Sequence, residues 1–509
     1  MPSKKRSLLA ASGAGGDSLY AEDVFSTYLY TGTGAARSIV NGIDLDGEGG
    51  LVWMKARSSS SSHSLIDTAR GGTKQLKSDN ANAEVTSAQN ITAFNSNGFS
   101  LGDSSQINAN TINYCSWTFR KAEKFFDVVT YTGNDVAGRA ISHGVDGAVG
   151  MVIIKRTDSA GNWAVWNVGA STSAFFLNST AGARSDGQHM FGNGSSVVAP
   201  TSTAFTVGAN STVNASGGTY VAYVFASDAG GYGDDGDENI IKCGSFTTDG
   251  NATPQDINLG FEPQFFMYKR TDAASNWFMA DIMRGWTAQN TSGESAETYL
   301  YANLNVGEAA PNTWGSSPNA TGINWRAGGL TTNSTYIYIA IRRPMKTPEA
   351  GTEVFALENG NGGGSSTVPE FAAPFASDLF YMQNRNGGGS NYNGSRLAGN
   401  SYLLFNSTAA EASGLFRWDS MNGMYFYSTT DYTGYCFKRA AGFMDVVAYS
   451  GSGSATTQTH NLGVAPELMI VKSRTDTKDW GVYNSADGAE YYTYLNSNGA
   501  KIAGGGSLW

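Results

Sequence analysis

A chain of 509 residues exceeds what one hydrophobic core can organise, since cores stop growing at about 250–300 residues, so several domains are required. Charged residues are 15% against a usual value of about 25%, while Gly reaches 64 residues and aromatics 12%; this excludes disorder and points to short strands joined by tight turns. A net charge of −10 weighs against a nucleic-acid partner, and no apolar run of about 18 residues is present for membrane insertion.

In chain order, residues 1–24 come first. They join Lys4, Lys5 and Arg6 to a glycine stretch and an acidic SLYAEDV, and read as an attachment arm that orders on a partner or as a disordered tail. Only Leu8–Ala11 is apolar there, short of the core of about 7–15 residues that a signal peptide needs, so the chain is expected to be made and assembled in a cytoplasm.

Repeated modules follow, at 25–125, 126–232, 239–346, 352–441 and 443–509. Four of them open with a strand and a Gly turn: STYLYTGTG from Ser26, DVVTYTGND from Asp127, KCGSFTTDG from Lys242 and DVVAYSGSG from Asp445. An apolar stretch then runs into a Lys, with a Trp eight residues later: Lys155 and Trp163, Lys269 and Trp277, Lys472 and Trp480. In the first module Lys55 is followed by His63 at that distance; in the fourth, Gln383 replaces the Lys and no Trp follows. Four modules close with an aromatic strand, YCSWTF, YVAYVF, YIYIAI or YCFKR, which the fifth lacks. Short alternating runs separated by Gly, Asn, Asp and Ser turns predict an all-β chain of tandem β-sandwich modules of about 100 residues, jelly-roll or lectin-like. Such an array is expected to be extended, each module contacting mainly its neighbours.

The repeated Lys and Trp residues read first as structural. Each Trp plugs the core between two sheets, Asp158, Asp272 and Asp476 cap the following turn, and Arg156, Arg270 and Arg474 pair with that Asp or lie along the sheet. The alternative is a sugar site, with Trp stacking on a ring face and Arg and Asp binding hydroxyls.

Signs of catalysis are sparse. His63, His143, His189 and His460 occupy different module positions and match no metal or nucleophile motif. Cys115, Cys243 and Cys436 are far apart, without CxxC. GDDGDE at Gly233–Glu238 offers oxygens for Ca²⁺ but lacks EF-hand spacing and reads as a solvated linker. No catalytic residue, metal site or cofactor is expected, and no ligand-binding residue is assigned.

The opening MPSKKRSLLAASGAGGDSLYAEDVFSTYLYTGTG, with GGLVWMKARSSSSSHSLIDTARG and FNSNGFSLG, resembles large repeat proteins of marine tailed bacteriophages, including cyanophages. The resemblance covers the whole chain, most closely the first three modules. It implies a non-enzymatic virion structural protein, most simply a tail fibre or tail-attached appendage displaying β-modules to host-surface glycan or protein. The expected partners are other phage tail or virion proteins, met through the N-terminal arm, and further copies in a homotrimer or other homo-oligomer. A capsid decoration or head-fibre protein and a polysaccharide depolymerase are the alternatives.

Overall fold

The computed structural model describes residues 18–249, 255–288, 298–308, 315–326, 333–360, 370–414, 416–426, 431–505 and 509. Residues 1–17, most of the expected attachment arm, lie outside them. The described end of that arm packs on the chain itself: Ala21 and Val24 are buried, and the Glu22 carboxylate accepts the Met345 and Lys346 amides at 2.9 Å each.

The fold is all-β, built from antiparallel sheets. Four main sheets share one strand order. In the first interval Phe25–Thr31 pairs with the closing strand Asn113–Arg120, which pairs with the Lys strand Gly50–Ala56, which pairs with Ser64–Asp67. The central strands of the second interval are Phe126–Thr132, Thr219–Ala226 and Val149–Arg156; those of the third are Ile241–Thr247, Thr335–Arg342 and Pro263–Arg270. The fourth repeats the order with Phe355–Gly360, Tyr432–Phe437 and Leu379–Asn384, although it has lost the Lys and the Trp. The closing strand is thus central, and it zips the opening strand to the Lys strand.

Alternation along the closing strand divides its side chains between two cores. One set faces a small second sheet, such as Arg37–Val40, Gly98–Leu101 and Ile91–Asn95 in the first interval. On this side a closing-strand Tyr stacks on the ring paired with it in register: Tyr30–Tyr114 at 5.2 Å, Tyr131–Tyr220 at 5.1 Å and Phe246–Tyr336 at 5.2 Å. The other set faces a core shared by the first three modules. Phe25, Phe126 and Ile241 of the opening strands meet there with Phe119, Phe225 and Ile341 of the closing strands and Leu51, Met151 and Phe265 of the Lys strands.

These contacts correct the expectation of an extended array in which each module touches mainly its sequence neighbours. The first module packs on the third as well as on the second, so three main sheets surround one core as the sides of a closed prism. Burying one face of each sheet this way removes more apolar surface from water than three separate sandwiches would.

The fifth interval departs from its expected strands. Leu468–Val471, Gly481–Asn484, Tyr491–Tyr494 and Ile502–Ala503 form one sheet, but DVVAYSG from Asp445 is not a strand. In every other module the opening strand takes its backbone partners from the closing strand. No closing strand pairs here among the described residues, so an extended 445–450 segment would lack the ladder partner that the other opening strands have. The face equivalent to Met151 and Ile153, at 0% and 1% exposure, is carried here by Leu468 and Ile470 at 56% and 42%.

Candidate functional site

The repeated Lys–Trp segment sits where modules meet. Trp163 is fully buried, and its indole Nε1–H donates to the carbonyls of Lys77 at 2.9 Å and Asn80 at 3.2 Å, both in the first module. Trp277 donates to the Phe176 carbonyl of the second module at 3.0 Å. Trp480 donates to Leu404 at 2.9 Å and Ser407 at 3.2 Å in the fourth. Each Trp therefore plugs into the preceding module, which corrects its expected place between the two sheets of its own.

His63 closes the ring. Its Nδ1 accepts the Trp53 indole N–H at 2.8 Å, which leaves the proton on Nε2 to donate to the Tyr301 carbonyl of the third module at 2.9 Å. Burial, then the Lys55 charge, lowers its pKa to about 3. A second proton would also set an N–H against the Trp53 N–H.

A reciprocal pair of backbone bonds flanks every dock. Gly161 N–H donates to Ala81 and Glu84 N–H to Thr157; Ser275 donates to Thr180 and Ala183 to Thr271; Ser61 donates to Asn305 and Glu308 to Arg57; Lys478 donates to Thr408 and Glu411 to Arg474. The docking residue is itself latched by an Asx side chain of its own module. The backbone N–H of His63, Trp163, Trp277 and Trp480 donates to Asp79, Asn178, Asn303 and Asn496 at 2.8–3.0 Å. This latch was missed in the sequence, although FLNS, LFNS and YLNS, ending at Ser179, Ser407 and Ser497, carry its signal.

The lysines are buried supports. Lys55 and Lys155 donate to the carbonyl of the next residue, and Lys269 donates to Ser275 at 2.6 Å and across the interface to Thr180 at 2.9 Å. Burial lowers all three ammonium groups to about 8. Lys472, less enclosed, donates to Ser473 and Asp476. Arg156 and Arg270 pair with Asp158 and Asp272 through two bonds each at 2.8–2.9 Å. Arg474 departs from the expected pairing with Asp476: it grips Glu411 of the fourth module at 2.6 and 2.9 Å, much as Arg57 grips Glu308 of the third at 2.8 Å.

The fourth module differs at this position. Asn391 stands where the others carry His63 or a Trp, and Gln383 where they carry Lys. The latch is kept, Asn391 N–H donating to Asn406 at 3.1 Å, but no neighbouring module fills the position among the described residues. A cleft of about 340 Å³ lies there instead, lined by Gln383, Asn384, Gly387, Gly388, Gly389, Asn391 and Asn406.

Among the described residues no group of three or more His, Cys, Asp or Glu side chains is placed to hold a metal, and no helix is long and apolar enough to cross a membrane. His143, His189 and His460 do not converge with His63, and the three cysteines are buried and unpaired. In the GDDGDE segment Asp234 accepts from the Tyr20 hydroxyl, and Glu238 pairs with Arg342.

No curated protein matches the chain. A family model described as a domain of unknown function, DUF7483, matches residues 21–344 and 436–509, so the chain belongs to the DUF7483 family.

Proposed function

We propose that this protein is a structural component of a bacteriophage virion, a tail fibre or tail-attached appendage that displays β-modules for attachment to host-surface glycan. The observation that supports this reading best is the fate of the repeated residues. Trp163, Trp277, Trp480, Lys269 and His63 are occupied in holding modules together, and Lys155 and Lys472 in supporting backbone carbonyls of their own modules. A closed prism of three sheets on one core suits a scaffold that displays its outer surfaces. Attachment through other virion proteins and assembly as a homotrimer belong to the same proposal, since several copies convert weak glycan contacts into avidity.

Labelled antibody against the chain, imaged on intact virions, tests the placement. Label on tails is the expected result, and label on heads would move the reading to a capsid decoration protein. Incubation with host polysaccharide is expected to yield no new reducing ends; their appearance would make the chain a depolymerase.

A further inference from the structure

We propose that the amide-lined cleft of the fourth module is a binding site for a neutral, hydroxyl-rich ligand, namely a terminal or branch sugar of an uncharged glycan. The proposal rests on the attachment reading above and places its binding chemistry at named residues.

Position is the first argument. At this point in four modules a bulky His or Trp is seated in a neighbour, and the space is filled. The fourth keeps the strand order and the Asx latch, yet carries Asn391 and Gln383 in place of the docking pair, and an open volume results. Its size falls within the range of about 300–1,000 Å³ common to small-ligand sites.

Chemistry is the second. No charged side chain lines the cleft, so neither an anionic nor a cationic ligand would find a counter-charge. Some amide groups are already committed: Gln383 Oε1 accepts from the Tyr435 hydroxyl at 3.4 Å, Asn391 Oδ1 from the Asn384 N–H at 3.2 Å, and Asn384 Oδ1 from the Asn386 N–H at 2.8 Å. These bonds fix three side chains through their oxygens. The Gln383 Nε2, Asn384 Nδ2 and Asn391 Nδ2 groups have no protein partner among the described residues. Together they offer several N–H donors to an acceptor-rich ligand, and sugar hydroxyls are such acceptors.

Shape is the third. Gly387 and Gly388 both have φ near 73°, a left-handed conformation that costs other residues and lets the backbone curl without side chains in the opening. Beside Gln383, Tyr381 stacks on Tyr435 at 5.2 Å, and Phe405 meets Tyr381 edge-on at 4.8 Å. Phe405 also packs on Trp480 of the fifth module at 4.6 Å, so these rings back the cleft and hold its Gln383 wall in place, and the ligand contacts are left to the amides.

Saturation-transfer NMR on the full chain with the neutral trisaccharides maltotriose, mannotriose and chitotriose tests the site. Transfer to at least one is expected. Gln383→Ala should weaken its binding roughly tenfold by removing a hydrogen-bonding group, and Asn391→Trp, which restores the bulk found in other modules, should abolish it. An unchanged melting temperature will show that both variants are folded. No transfer from any of the three, or undiminished transfer to a folded Asn391→Trp, overturns the proposal. Blocking of phage adsorption by the free protein separates the two readings. If wild type and Asn391→Trp block equally, the cleft is wrong and the attachment reading stands. If trisaccharide binds at the cleft but wild type does not block, the attachment reading fails and the sugar site stands.

Discussion

His63 occupies the position where three other modules carry Trp, and it brings a titratable group into a buried interface. Its folded pKa, about 3, lies below the unfolded value of about 6.5, so the unfolded chain binds the extra proton in between. The neutral ring's contribution is complete above about pH 6.5 and is lost as pH falls towards 3. Denaturant midpoints measured across this window should show an acid loss on the order of a few kcal/mol in wild type beyond that of His63→Gln. Parallel pH profiles for the two would refute it. The indoles allow a simpler experiment. Trp163→Phe keeps most of the packing but leaves the Lys77 and Asn80 carbonyls without their donor, and should cost about 1–3 kcal/mol. Trp163→Ala adds a cavity and should cost about 3–5 kcal/mol, read from the same denaturation curves.

At the scale of elements, the closing strand determines whether its neighbours become strands. Phe126–Thr132 pairs along its whole length with Thr219–Ala226. The equivalent segment at 445–450 has no such partner among the described residues and is not a strand there. Hydrogen exchange should therefore separate two stretches of similar sequence. Amides of 447–450 are expected to exchange orders of magnitude faster than those of Phe126–Thr132, because protection follows the backbone bonds a segment makes. Equal protection would mean that 445–450 is paired. Sequence similarity here is a poor guide to structure, since a strand is stable only with the chain that pairs with it.

For the whole molecule, the joint between the closed prism and the last two modules contains a buried ionic cluster beside apolar and backbone contacts such as Ala288 N–H to the Leu397 carbonyl. The Glu262 carboxylate of the third module receives two bonds of 2.7 Å from Arg439 of the fourth and one of 3.2 Å from Asn461 of the fifth. Asp445 of the fifth lies 2.7 Å from Arg439 and 3.1 Å from Arg343 of the third, and all four charged groups are almost fully buried. Replacing one member leaves its partners charged and desolvated. Glu262→Gln should therefore destabilise this joint by about 3–5 kcal/mol. Calorimetry should show the last two modules melting before the first three. A single transition shifted as a unit would show that the joint does not act separately.

The sequence by itself determined the all-β class, the positions of most strands and the repeated Lys–Trp landmark, because these follow from local alternation, turn residues and internal repetition. It carried the latch too, in FLNS and its relatives, but not its purpose, since a Leu-Asn-Ser run is equally good as a turn. Only the tertiary structure decided what the landmark is for. An indole N–H reaching a carbonyl 86 residues earlier in the chain, or an imidazole reaching one 238 residues later, leaves no periodic trace in the sequence. Closure of three sheets around Phe119, Phe225 and Phe265 depends on the first module meeting the third, and that choice is made by the apolar face buried when the ring closes. The vacancy at Asn391 was visible as a missing Trp; that it opens a cleft lined with free amides follows from the fold around it.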